Sequence, residues 1–304
     1  PGVICHMHSL PGTPLRISLR RGRLAEEKRE MPWLYPARSV QSIKLTVQVG
    51  DIRFQVNNGA KTLSMKTTRI VKAKRREVAR ALLDDSLELV EFGDRTVTLT
   101  DRLPSYAIDA KEEADVRLII EITAPPGLTV NTSIIQGETN LQGEFAYLTC
   151  RSESGPVRLR DQRIRKSAVV TVGTGNVEMD GTVGDLTISV NSGDIKCDRI
   201  TLQEASQCTL QTQRGTLKAV FTKIPKTELL CQSGSGDVTV QVPGNSKMLA
   251  TVLTANGKAR CAWNIPKSNR ALGDMGAVYA GLVNGGGTTV QVQTAVGNAT
   301  LDKT

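Results

Sequence analysis

The stretch Val190-Asn-Ser-Gly-Asp-Ile-Lys-Cys197 has a near copy at Gly234-Ser-Gly-Asp-Val-Thr-Val240, and the pair decides how the whole chain is read. Each copy sets an Asp after a Gly, close to a serine or cysteine. That arrangement fits a repeated active site, an ion-binding loop, or the punctuation of a repeated fold. Fixed spacing separates these readings, because only a fold repeat demands the same register throughout. Aligned on the Gly, the copies are Gly137-Glu-Thr-Asn-Leu141, Gly155-Pro-Val-Arg-Leu159, Gly175-Asn-Val-Glu-Met179 and Gly193-Asp-Ile-Lys-Cys197. They continue as Gly215-Thr-Leu-Lys-Ala219, Gly236-Asp-Val-Thr-Val240, Gly257-Lys-Ala-Arg-Cys261 and Gly297-Asn-Ala-Thr-Leu301. Successive steps are 18, 20, 18, 22, 21, 21 and 40 residues, with a degraded copy expected at Gly276-Ala-Val-Tyr-Ala280 inside the last.

The second and fourth residues after each Gly are mostly small or aliphatic and the third mostly polar, which is the alternation of a half-buried strand. A second strand precedes each Gly, as in Cys208/Leu210 and Leu229/Cys231. Two strands per unit of roughly 20 residues, turned at a Gly, describe one coil of a β-solenoid. Coils stacked at about 4.8 Å would build eight or nine layers into a rod of roughly 40 Å. A β-sandwich of hairpins is the competing all-β architecture. The constant Gly register favours the solenoid. On this reading Ile195 and Cys197 point inward, Lys196 points outward, and Asp194 holds its own turn by local backbone hydrogen bonds.

Upstream, residues 1–38 read as an irregular basic arm, 39–127 as a β-rich region with one short helix at 74–85, and 128–304 as the solenoid. An irregular insert near 262–288 interrupts the repeat. The strings NSGDIKC, GSGDVTV and GTGNVEM follow a meander ending in RLIIEITAPPGLTV. Over residues 40–304 they resemble the "putative adhesin" family of β-strand repeats, whose bacterial members carry SGD-V-x-V turns and which has mitochondrial relatives. The resemblance implies a non-catalytic β-solenoid associated with surfaces or assemblies, and it carries over no catalytic residues.

The chemistry points the same way. General acid–base work most often uses His, and both histidines, His6 and His8, lie in the arm. No catalytic residue is assigned. Cys5-His6-Met7-His8 offers soft ligands but no fixed geometry, so no metal or other cofactor is expected. None of the six cysteines has C-x-x-C spacing, and five sit at positions that otherwise hold small hydrophobes. They are expected to be inert core thiols. Asp194 and Asp237 would stand about 10 Å apart, two coils at about 4.8 Å each, near the upper limit for an inverting polysaccharide hydrolase. Only 3% of residues are aromatic, too few to build sugar platforms. Val283-Asn-Gly-Gly-Gly-Thr-Thr289 lacks the following helix that a phosphate loop needs.

Function is therefore sought on faces and arm. A net charge of +9 favours anionic partners. Candidate partner-binding cations are Arg16, Arg20, Arg21 and Arg23 in the arm, with Lys72, Lys74, Arg75 and Arg76 on a basic face that also takes in Lys66, Arg69 and Arg80. Trp263 and Tyr279 mark the insert as a candidate docking element or end cap. Expected partners are other protein subunits, an anionic membrane surface, or nucleic acid without sequence-specific readout, and no small-molecule substrate. An accessory subunit of a larger complex, organellar and of mitochondrial type, is the leading expectation. The acid-free, arginine-bearing start agrees with a processed chain. A bacterial envelope or cell-surface adhesion module is the alternative.

Overall fold

The computed structural model describes residues 24–104, 114–203, 207–224, 227–265, 267–268 and 277–304. The fold is an all-β solenoid, and each coil supplies strands to two faces. On face one run β5 (Thr96–Arg102), β2 (Ser42–Val56), β7 (Leu128–Gln136), β8 (Thr139–Ser154), β9 (Val157–Thr174) and β10 (Val177–Ser192). The same face continues through β12 (Gln207–Arg214), β14 (Glu228–Ser235), β20 (Thr288–Val296) and β16 (Met248–Asn256), parallel at every step. Face two carries β6 (Ala114–Ala124), the far halves of β2, β8, β9 and β10, then β11 (Ile195–Leu202), β13 (Leu217–Lys223), β15 (Val238–Val242), β21 (Ala299–Lys303) and β17 (Ala259–Cys261). Inward residues such as Ile188, Leu210, Cys231, Val292 and Val252 form one continuous aliphatic column with almost no exposure.

Glycine marks the corner because coils stack there backbone on backbone. Gly215 has φ +150°, and a Cβ on it would collide with the Gly193 carbonyl. The stack also contains a member absent from the aligned repeats. Gly50-Asp51-Ile52 lies directly beneath Gly137, so the first coil sits inside the region assigned to residues 39–127.

The sequence-based expectation for the turn aspartates requires correction. Asp194 Oδ1 accepts from the backbone N–H of Thr216 at 2.7 Å, one coil away, and not from its own turn. Asn176 accepts from Asp194 N at 2.9 Å, Asp237 from Asn298 N at 2.8 Å, and Asn298 from Lys258 N at 3.1 Å. Asn thus does the work of Asp at two of the copies that lack a carboxylate, Asn176 and Asn298. Pro156 has no N–H to offer and breaks the ladder. Buried hydroxyls three residues before the Gly form a second ladder: Thr212, Ser233 and Thr294 donate to the carbonyls of Gly193, Gly215 and Gly236.

Both ends depart from sequence order. Gly297 stacks on Gly236, and Gly257 stacks outside Gly297, so the last coil in sequence is the penultimate coil in space. The expected degraded copy at 276–280 is not a coil, because β19 (Ala277–Val283) runs antiparallel to β16. At the other end β2 is inserted between β5/β6 and β7/β8. Beyond it, β4 (Leu87–Gly93) returns antiparallel on β5, while β3 (Thr62–Ala73) and then β1 (Ala25–Pro36) return antiparallel beyond β6. The segment 25–36, read from sequence as part of an irregular arm, is thus a regular strand. Its inward positions Glu27, Arg29, Met31 and Trp33 mix charged with apolar residues, which hides the alternation. The helix α1 (Arg76–Asp85) packs Ala79, Leu82 and Leu83 into a small second core with Val71, Ala73 and Val116.

Candidate functional site

The residue types that carry chemistry are used by the fold. Cys150, Cys197, Cys208 and Cys231 are free and buried, while Cys261 is half-buried. Burial pushes the Cys150 thiol up to about 11 and Cys197 up to about 12, and raises the other two buried thiols as well. A thiol held protonated is a poor nucleophile. Asp194 and Asp237 are committed to the turn ladder. Among the described residues no group of three or more His, Cys, Asp and Glu could hold a metal ion, and no helix is long and apolar enough to cross a membrane. Cys5, His6 and His8 lie outside the described residues.

The basic face is corrected in part. Arg69 is not on the surface: it is 0% exposed, donating Nε to Glu88 at 2.7 Å and a terminal nitrogen to Asp101 at 2.5 Å. Asp101 also accepts from the Gln48 backbone N–H at 2.9 Å. Arg29 joins the network, reaching Glu88 and the carbonyls of Leu83 and Ser86. Buried charge survives only when paired and hydrogen-bonded in this way, so these arginines lock β1, β3, β4 and α1 together. β1 further lays acids on the remaining cations: Lys66 pairs with Glu30, Lys72 with Glu26 and Arg76 with Glu27. Hydrogen bonds from Lys28 and Lys66 hold the Glu30 carboxyl down at about 2. Lys74 and Arg75 stay exposed at the start of α1. Arg16, Arg20, Arg21 and Arg23 lie outside the described residues.

The insert residues Trp263 and Tyr279 are half-buried and pack against the main core with Ile265 and Val283. Trp263 donates Nε1 to the Gly244 carbonyl at 3.4 Å, with the Lys303 ammonium 5.3 Å from its ring centroid. Both aromatic residues serve the end cap.

What remains is face one, a feature that single-residue inspection of the sequence does not show. Its central outward row reads Thr98, Lys44, Asn131, Thr149, Val169, Thr187, Thr209, Leu230, Gln291 and Thr251 across ten parallel strands. Nine steps of about 4.8 Å make it roughly 43 Å long. Beside it, Ser189, Gln211, Gln232 and Gln293 are joined side chain to side chain at 3.2, 2.9 and 2.6 Å. Face two, by contrast, carries Arg53, Arg158, Glu178, Lys196 and Lys218 in equivalent rows. The central row of face one is thus poor in charge and rich in hydroxyls and amides, with Lys44, Val169 and Leu230 as exceptions, while its flanking rows carry Arg151, Asp185 and Glu228.

No curated protein matches the chain. Among solved structures, it is similar to a "putative adhesin" from Bacteroides fragilis at 13% identity, covering 91% of this chain and 97% of that one, with TM-score 0.41. It is also similar to a "putative lipid binding protein" from Parabacteroides distasonis at 12% identity, covering 93% and 98%, with TM-score 0.42. A "putative adhesin" from Parabacteroides merdae shows 13% identity over 93% and 97%, with TM-score 0.34. The family model of Toastrack DUF4097 matches residues 90–264, more than half of the chain, and the chain belongs to that family.

Proposed function

We propose that this Toastrack protein is a non-enzymatic interaction scaffold that works as an accessory subunit of a larger assembly, organellar or membrane-associated. The observation that carries the reading is face one, a ten-strand plane of unbroken register whose outward row holds one charge, Lys44. A surface that needs no ordering on contact loses little entropy on binding, and a plane of hydroxyls and amides can hydrogen-bond a protein partner directly or through water. Lys74 and Arg75, with the arm arginines, supply a separate basic contact for an acidic subunit or an anionic membrane surface. Adhesion to a surface is the second reading, favoured by the same flat polar plane.

The test is capture of the full chain from its native source. A stoichiometric partner is expected, lost with Thr187→Arg/Thr209→Arg in the middle of face one. Partners retained in full by that variant, or a protein recovered without any partner, would contradict the scaffold role.

A further inference from the structure

The two ends of the rod guard their edges differently, and that difference has a consequence. A strand edge left open invites pairing, and proteins block it with charge or proline. At the N-terminal end β1 carries five charged residues, Glu26 to Glu30, and two prolines, Pro32 and Pro36, which have no N–H to pair. Its inward side chains also close over β4, through Arg29 on Ser86 and Glu88 and through the stacked rings of Tyr35 and Phe92. At the C-terminal end β19, Ala-Val-Tyr-Ala-Gly-Leu-Val, holds neither a charge nor a proline. On its outer side, among the described residues, only Val278 and Tyr279 are paired, to β18 (Lys267–Ser268). Leu282 is 67% exposed and sits opposite Leu249, itself 42% exposed.

We propose that two copies of the chain associate head to head through the outer edge of β19, Ala280–Val283 of one pairing with the same residues of the other. A two-fold axis pairs identical strands antiparallel, the direction in which β19 already continues the sheet. An uncharged strand meets its own copy without repulsion, whereas a foreign strand would find no charge or pocket here to select it. The pairing brings Leu249 and Leu282 of both copies together and joins the two copies of face one into a single plane. The guarded β1 end cannot repeat the contact, so association closes at two copies and does not run on into fibres.

Light scattering on the purified full chain tests this. The wild type is expected at twice 32.8 kDa and Leu282→Lys at 32.8 kDa, while Leu34→Lys, on the equally exposed β1, stays at the doubled mass. A monomeric wild type, a dimeric Leu282→Lys, or particles larger than two copies would each overturn the proposal. Hydrogen exchange on the wild type gives a check that needs no variant. Amides 280–283 should exchange faster on dilution, and rates independent of concentration would also overturn it.

Discussion

The rod ends share one device and differ in what surrounds it. Each places a coil strand one layer further in than the order of the coil strands along the chain would: β2 lies beneath β5 and β6, and β20 beneath β16. A chain terminus frays when it has a single neighbour, and threading β20 between β14 and β16 gives the C-terminal coil partners on both edges, whereas at the other end β1 lies outermost, paired to β3. The N-terminal end adds a buried ionic network around Arg69, whereas the C-terminal end relies on Trp263, Ile265, Tyr279 and Val283 packed over the last coil. One end is closed by charge and the other by apolar surface.

The largest expected effect comes from removing residues 288–304. This deletes the layer between β14 and β16 and leaves both with an unpaired edge, so loss of cooperative unfolding is expected by circular dichroism, with no soluble rod recovered. A truncation that unfolds like the full chain would erase the claimed equivalence of the ends. Next in size is Arg69→Met, which leaves buried Asp101 without its cation and Glu88 with Arg29 alone, and should cost about 3–5 kcal/mol in denaturant unfolding. A cost under about 1 kcal/mol, typical of an exposed ion pair, would show that the N-terminal end is not held by charge.

Between the ends, the buried thiols predict alkaline sensitivity. Their folded pKa values lie above the ordinary 9.0, so their stabilising contribution is complete below pH 9 and is lost as pH rises toward 11 to 12. Cys150→Val/Cys197→Val should flatten the alkaline limb of thermal unfolding; an unchanged limb would place its cause elsewhere. The smallest effect is Asp194→Ala, where loss of one inter-coil hydrogen bond should cost about 1 kcal/mol. Asp194→Asn, which reproduces what Asn176 and Asn298 do, should be nearly silent.

The middle of the rod was legible in the sequence because its signal is periodic. Ile195, Cys197, Leu217 and Val238 fall where the Gly register puts them, and all are buried. Gly50-Asp51-Ile52 carries the same signal but stands 87 residues before Gly137, with β3, α1, β4, β5 and β6 in between. The end inversions left no periodic trace, since parallel strands fix register but not which coil lies outermost. Arg69 sits in a run of cations that reads as surface, and its partners lie 19 and 32 residues away, where no local pattern can reach them. The composition of face one emerged only once ten strands were aligned, seven of which contribute one unremarkable Thr, Asn or Gln to the central row.

Hydrogen exchange resolved by residue tests the central claim most directly, that the last coil in sequence, opened by β20, is an interior coil in space. Amides of Thr288–Val296 should exchange as slowly as those of Glu228–Ser235 and far more slowly than those of Ala277–Val283. Fast exchange across 288–296, as for a frayed terminus, would contradict the inverted closure of the rod.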